Sequence, residues 1–129
     1  MNPETTLRAA PKTESVEYAR RLAARTMRTW SLLEAEEPVT AIVAELVANA
    51  VRHAGTALEL RLVHADGMIR IEVSDRDERL PILRVPQAED EGGRGLYIVD
   101  RYSTAWGTTP APGGKVVWAE ISLGTSPRP

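Results

Sequence analysis

The spacing of the apolar residues changes from three or four positions to two near residue 57, which predicts helices followed by strands. The first apolar set predicts an amphipathic helix with arginines on its outer side. Its members are Val16, Ala19, Ala23, Met27 and Trp30. A second helix is predicted from Pro38, a residue tolerated in a first helical turn, to Gly55, a residue typical of the position just after a helix end.

Two hairpins are predicted after residue 57, because apolar and polar residues alternate there. The first hairpin turns at Ala65-Asp66-Gly67, and in the second Gly113-Gly114 lead into the run KVVWAEISL. The apolar positions of the first hairpin are Leu58, Leu60, Leu62, Ile69, Ile71 and Val73. Helices packed on one face of such a mostly antiparallel mixed sheet form an α/β two-layer sandwich, which is the fold that we predict.

Both ends of the chain contain prolines and lack a periodic pattern. Residues 1–12 and residues 124–129 are therefore predicted to be flexible tails, on either side of a working domain at 13–123. Inside this domain the segment from about 76 to 92 is too long for an ordinary connection, and such segments often cover binding sites. A short helix is predicted after the GGRG turn, ending near Tyr102.

Composition and charge exclude several classes of function. The 129 residues fit a single domain, and a net charge of -2 leaves no excess of Lys and Arg for binding nucleic acid directly. The chain has no cysteine, which excludes disulfides and thiolate metal sites. Because no apolar stretch approaches the roughly 18 residues of a membrane span, we expect a cytoplasmic protein without membrane contact.

A polar stripe is predicted along the second helix. At about 100° per residue, Glu45, Asn49, Arg52 and His53 share one side of an otherwise apolar helix. One interpretation is a solvated helix face. A carboxylate and a short amide one turn apart favour another, because such a pair can hold a hydrated Mg²⁺ ion beside a reacting hydroxyl.

An acidic residue occupies an apolar position in the predicted sheet. The alternation that buries Ile71 and Val73 puts Asp75 on the same face. A buried carboxylate needs a hydrogen-bond donor, either from the protein or from a ligand between helices and sheet, and an adenine amino group is a suitable one. The alternative is that the strand ends at Ser74 and Asp75 caps a turn.

The run Gly92-Gly93-Arg94-Gly95 precedes the last predicted helix. Backbone N–H groups at a helix start bind phosphate oxygens, and glycine allows their close approach. A plain turn is the alternative, and Arg94 is either a phosphate contact or an exposed loop arginine.

The order of these features is more specific than any one of them. The segments AELVANAVRHAG, IEVSDRDERLP and GGRGLYIVD resemble the three nucleotide-binding boxes of the histidine-kinase-like ATPases. The short length is similar to their branch of anti-sigma-factor serine kinases. This resemblance covers about 13–123 and implies ATP and Mg²⁺ as cofactors.

The resemblance also implies a role for each matching residue. Glu45 corresponds to the family's general base, Asn49 to its Mg²⁺ ligand, and Asp75 to the acid that binds the adenine amino group. The phosphate-loop glycines correspond to Gly93 and Gly95. The nucleotide-binding segment at this turn comprises Gly93, Arg94, Gly95 and Leu96.

The chain departs from the family pattern at two places. Asp77 stands where the middle box normally has glycine, although short members of the branch often relax this box and end it in proline, as Pro81 does here. Gly114-Lys115-Val116 supplies no threonine hydroxyl beside the adenine-binding acid. Both departures predict weak nucleotide affinity.

The function implied by the resemblance is an ATP-binding anti-sigma regulator with serine/threonine kinase activity. Its substrate would be a small anti-sigma-factor antagonist protein, and a sigma factor would be the other partner. The alternative is a regulator that keeps the fold and binds partners without phosphoryl transfer, and a third interpretation makes the polar stripe an interface without nucleotide. Monomer and homodimer stay open.

Overall fold

The structure of the protein is a computed structural model that describes residues 2–78 and 91–124, with the side chains of residues 91–96 excepted. A 3₁₀ turn at Leu33–Ala35 precedes the second helix, and a π-helical turn at Ala50–Ala54 continues it. The strands and α-helices follow in the order β1 (Glu4–Ala9), α1 (Thr13–Thr29), α2 (Glu36–Asn49), β2 (Leu58–Ala65), β3 (Met68–Asp75), α3 (Glu91–Tyr102), β4 (Ala105–Ala111) and β5 (Gly114–Ser122).

The five strands form one sheet in the order β1-β2-β3-β5-β4. Each of the four described pairings is antiparallel, so the sheet is more regular than the predicted mixed one. Burial alternates along β2 and β3, with the odd positions of β3 from Ile69 to Asp75 on the inner face. The predicted α/β two-layer sandwich is confirmed.

The core lies between this inner face and the helices. In α1 the buried residues recur at three and four positions, as the sequence predicts. α2 contacts α1, α3 and the sheet strands β3 and β5, so it is the central helix of the layer. The largest fully buried side chains are Met27, Ile42, Leu46, Leu60, Leu62, Ile69 and Ile71. None of the described helices is both long and apolar enough to cross a bilayer.

The N-terminal segment differs from the predicted flexible tail at 1–12. Residues Glu4–Ala9 form edge strand β1, which pairs with β2 so that Leu7 lies opposite Leu60. The short alternation of Thr5, Leu7 and Ala9 at half-buried positions escaped the sequence analysis because prolines flank it on both sides. The prolines bound the strand and do not interrupt it.

The second helix begins earlier than predicted and ends in a π-helical turn. It starts at Glu36, so Pro38 is its third residue, where a missing N–H removes no intrahelical bond. It ends at Gly55 as predicted, with Gly55 in the left-handed conformation at φ 64°. The last turn is π-helical, and the backbone N–H of Gly55 bonds to the carbonyl of Ala50 at 3.1 Å.

The third helix also begins earlier than predicted. α3 starts at Glu91, so the run Gly92 to Gly95 lies inside its first turns and is not a turn before it. The first four N–H groups of a helix have no intrahelical partner, so the backbone at the start of α3 keeps the donors that motivated the prediction. The rest of the predicted long connection, at 79–90, and the predicted tail at 125–129 lie outside the described residues.

Candidate functional site

Asp75 is the last residue of β3 and lies on the inner face of the sheet. It continues the buried series Ile69, Ile71 and Val73, and only 8% of its surface is exposed. The strand therefore does not end at Ser74, and the predicted buried acid is present. A carboxylate at such a position is stable only if charged or polar donors offset its loss of hydration.

The partner of this acid is Lys115, the second residue of β5. Lys115 lies directly opposite Asp75 in the strand register and is itself buried, with 6% exposed. Its Nζ atom donates to Asp75 Oδ1 at 3.0 Å and to the backbone carbonyl of Asp77 at 2.9 Å. The two charges thus compensate each other inside the protein.

The backbone of Asp77 completes the surroundings of the acid. Its N–H donates to Asp75 Oδ1 at 2.8 Å, which closes a tight turn at the end of β3. The resemblance gives this position to glycine, yet Asp77 contributes only its main-chain N–H to the contact. The substitution of glycine by Asp77 therefore leaves the hydrogen bond to Asp75 intact.

Sequence reasoning missed Lys115, although a signal was present. The inner-face positions of β5 are Lys115, Val117, Ala119 and Ile121. Lys115 interrupts one apolar series and Asp75 interrupts another, at strand ends that meet. Such a lysine and such an acid predict a cross-strand pair once the register of the two strands is known. The register between β3 and β5 follows from the fold and not from the local pattern, because 38 residues separate Asp77 from Lys115.

Gly114 allows β5 to approach the end of β3. A Cβ atom at this position would collide with the backbone carbonyl of Asp75 and lie 2.8 Å from Cα of Arg76. Any other residue would therefore push the two strands apart where Lys115 meets Asp75. Gly114, which the sequence analysis placed in the second hairpin, therefore also allows β3 and β5 to lie close together at the site.

The end of α2 is tied to the same end of the sheet. Thr56, just after the π-helical turn, accepts a hydrogen bond at its Oγ1 from the backbone N–H of Arg76 at 3.0 Å. Since Arg76 directly follows Asp75, this bond fixes the helix end next to the buried acid. The π-helical turn is one of the distortions that recur at functional sites.

Asn49 is the last residue of α2 before the π-helical turn, and its side chain carries an unsatisfied acceptor. Its Oδ1 atom is buried and has no hydrogen-bond partner among the described residues. A buried orphan acceptor costs about 1–3 kcal/mol, so native proteins rarely keep one without a ligand, ion or water. The oxygen is suited to bind a hard cation such as Mg²⁺ or a hydrogen-bond donor.

Glu45 lies one turn before Asn49 on the same helix and is half-buried. No other described residue hydrogen-bonds or forms an ion pair with its carboxylate. The spacing of four puts both side chains on one side of α2. A carboxylate without a structural partner, next to an orphan amide oxygen, is free to accept a proton from a bound molecule.

The other half of the predicted stripe follows in the π-helical turn. Arg52 and His53 lie in this turn and are exposed, whereas Glu45 and Asn49 are half-buried. Each residue of a π-helix turns the chain by less than 100°, so the angles predicted for an α-helix do not apply to Arg52 and His53. Nothing in the sequence VRHAG distinguishes a π-helical turn from an α-helical one.

The glycine segment occupies the start of α3. Gly93, Arg94, Gly95 and Leu96 are helical, and α3 packs against α2. Of the predicted site residues, the structure thus places Glu45 and Asn49 on the helix that contacts both α3 and strand β3. Asp75 ends that strand, and its direct partner is a residue that was not predicted, Lys115.

A family model matches most of the chain. Residues 9–121 match the family model of the histidine kinase-like ATPase domain, a range that runs from the end of β1 into β5. No curated protein matches the chain.

A solved structure shares the fold. It is the crystal structure of the RsbU and RsbW domains of Rv1364c from Mycobacterium tuberculosis, with a TM-score of 0.67 and 16% identity. The similarity covers 98% of this chain and 34% of that one, so the chain spans about a third of the length of its neighbour. At this identity the likeness concerns the fold.

Proposed function

Because the chain belongs to the histidine kinase-like ATPase domain family, we propose that it binds ATP and phosphorylates a serine or threonine of a small anti-sigma-factor antagonist protein. The observation that carries this proposal is the pair on α2, in which an orphan buried oxygen of Asn49 lies one turn from an uncommitted carboxylate of Glu45. A protein that only packs its fold has no need for either feature. A site for a metal-bound nucleotide and a reacting hydroxyl uses both.

The residues present fit a Mg²⁺ ion with few protein ligands. Asn49 Oδ1 offers one hard oxygen, and within the described ranges no three His, Asp or Glu side chains form a metal cluster. Mg²⁺ commonly keeps its waters and binds through one or two protein oxygens together with substrate phosphates. When bound, the ion would neutralise charge that develops on the phosphates during transfer. Asn49 is the residue that would hold it.

In this proposal, Glu45 is the general base. Its carboxylate accepts the proton of the substrate hydroxyl as the γ-phosphoryl group of ATP moves to that oxygen. Phosphoryl transfer depends mostly on positioning and charge stabilisation, and the base contributes a smaller factor of about 10² to 10⁴. The α2 helix, which packs against α1, α3 and the sheet strands β3 and β5, supplies the positioning.

In this proposal, the adenine base of ATP binds at the end of β3, and its phosphates bind at the start of α3. Asp75 accepts a hydrogen bond from the adenine amino group. Phosphate oxygens bind at the start of α3, in the segment of Gly93, Arg94, Gly95 and Leu96, through the first N–H groups of the helix, which have no intrahelical partner. A sigma factor is the second proposed partner. The proposal includes a cytoplasmic location and no direct contact with nucleic acid or membrane.

Calorimetric titration with ATP and Mg²⁺ tests binding, and transfer of radiolabelled phosphate to co-purified partner proteins tests catalysis. We expect Glu45→Ala to bind ATP normally and to transfer phosphate about 10²- to 10⁴-fold more slowly. Asn49→Ala should weaken Mg²⁺-dependent ATP binding as well. The matched control is Glu37→Ala, which removes an exposed carboxylate from the same helix and should change neither quantity.

A second candidate function, a regulator that binds partners without phosphoryl transfer, is favoured by the ion pair between Lys115 and Asp75. This pair already engages Oδ1 of the acid that the resemblance assigns to adenine. If the wild-type protein binds both partner and nucleotide but transfers no phosphate, the kinase assignment is wrong and the non-catalytic regulator takes its place. Equal rates in wild type and Glu45→Ala would remove the assigned base.

A further inference from the structure

We propose that Lys115 is a base-reading residue, whose ammonium donates a hydrogen bond to ring nitrogen N1 of the adenine while Asp75 accepts one from the adjacent amino group. This inference rests on the proposed ATP binding and adds how the site recognises its base. It starts from a contact that the family resemblance does not contain. According to this inference, the buried ion pair binds the adenine base, in addition to neutralising the charge of Asp75.

Donor and acceptor are adjacent at the same end of the sheet. Lys115 and Asp75 face each other on β5 and β3, and both belong to the inner-face series that the helices cover. Nζ of the lysine is 3.0 Å from Oδ1 of the acid. The Watson–Crick edge of adenine carries the complementary pair, because its amino group is a donor and the neighbouring N1 atom is an acceptor.

Both side chains keep capacity for a ligand. A lysine ammonium has three N–H donors, and the two described acceptors, Asp75 Oδ1 and the Asp77 carbonyl, use two of them. The two described donors to Asp75 both bind Oδ1, so Oδ2 is the oxygen that they do not use. One N–H and one carboxylate oxygen are what an adenine edge requires.

The pair is also held in place before any ligand arrives. Lys115 is fixed by two acceptors, Asp75 by the turn at Asp77, and Gly114 lets the two strands approach closely at this point. Side chains that are already ordered lose little entropy on binding, which favours their use in recognition. An ion pair retained only for stability has weaker support, because apolar residues of similar size often stabilise a core equally well.

The test compares ATP with 1-deaza-ATP, in which carbon replaces N1 and the amino group is kept. Calorimetry on the wild-type protein should give about 10- to 100-fold weaker binding of the analogue, the usual size of a hydrogen bond to a charged group. Lys115→Met should bind ATP more weakly and bind the two nucleotides within about threefold of each other. Lys12→Met, which changes the other, exposed lysine of the chain, is the matched control and should keep the full difference.

Each other outcome has a distinct meaning. Equal affinity of the wild type for ATP and 1-deaza-ATP would overturn the role of Lys115, and this comparison needs no variant to fold. Tighter ATP binding by Lys115→Met would also overturn it, because the ammonium would then be blocking the base. If the wild type binds no ATP at all, the proposed function fails first, and the inference fails with it. Thermal melting verifies that each variant is folded.

Discussion

Ion pairs join neighbouring strands on both faces of this sheet, and they differ in how deeply they are buried. On the inner face, among the described residues, one pair is buried: Lys115 with Asp75, whose side-chain exposures are 8% and 3%. On the outer face a chain of pairs, here called the outer ladder, is more exposed: its side chains range from 20% to 41% exposed, and its first contact joins two that are each 41% exposed. The outer ladder consists of Glu4, Arg61, Glu72, Arg70 and Glu120.

The difference in burial indicates which ion pair needs an explanation beyond stability. An exposed pair contributes about 0–1 kcal/mol and has little desolvation to overcome, so the outer ladder needs no explanation beyond a solvated sheet face. A buried pair has a large desolvation penalty and is no better for stability than an apolar pair, so its presence needs a reason. The contact with adenine that we propose would be such a reason.

Removing one member of the buried pair should have the largest effect. We expect Lys115→Met to lower the free energy of unfolding by about 3–5 kcal/mol, because it leaves the Asp75 carboxylate buried without its cation. Urea unfolding measures this change. The double variant Lys115→Met with Asp75→Leu should recover most of the loss, and a double variant as unstable as the single one would show that the charge is not the cause.

Gly114→Ala should rank second. The added Cβ collides with main-chain atoms of Asp75 and Arg76, which cannot swing aside as a side chain can, so we expect a loss of about 1–3 kcal/mol. The matched control is Gly107→Ala on β4, whose Cβ would meet the ring of Trp118, a side chain able to move. The prediction would be wrong if both variants melted at the same temperature.

Much of the fold was predictable because local patterns determine it. The period of two identified β2 and β3, and both predicted hairpins are present. β1 was missed because its six residues are half-buried at most, so they lack a strong apolar alternation. Its place at the edge depends on pairing with β2, across more than fifty residues of sequence.

The candidate site was predictable to the extent that a single element creates it. Asp75 stood out as an acid in an apolar series, and Glu45 and Asn49 were one helical turn apart. Lys115 could not be assigned, because its meaning depends on the register between two distant strands. The π-helical turn that contains Arg52 was not predicted, because nothing in its local sequence distinguishes it from an α-helical turn.

Breaking the outer ladder should have a much smaller effect than breaking the buried pair. Arg61 donates to Glu4 at 2.8 Å and to Glu72 at 3.2 Å, both near the surface. We expect Arg61→Ala to cost no more than about 1 kcal/mol in dilute buffer, and less at about 1 M salt, where the Debye length is near 3 Å. Urea unfolding at both salt concentrations gives the answer. A loss above that of Gly114→Ala would contradict the contrast between the two faces.

The smallest expected effect is a dependence of β1 on pH. The hydrogen bond from Arg61 lowers the pKa of Glu4 below its ordinary value of 4.5. A carboxylate whose pKa is lower in the folded state stabilises the fold above its unfolded pKa, and this contribution is lost as the pH falls through the lowered folded value. Since Glu4 begins the edge strand, we expect β1 to lose protection first in acid.

Hydrogen exchange measures this effect if protection factors, which correct for the intrinsic rate, are compared between β1 and β3. Protection of β1 should fall relative to β3 below about pH 4.5, the range in which Glu4 becomes protonated. Glu4→Gln removes the titrating group and should show the low protection of β1 at every pH. Should β1 in Glu4→Gln instead follow the wild-type pH profile, the edge strand is held by its backbone pairing and by Leu7 alone, and the outer ladder contributes nothing measurable even at its exposed end.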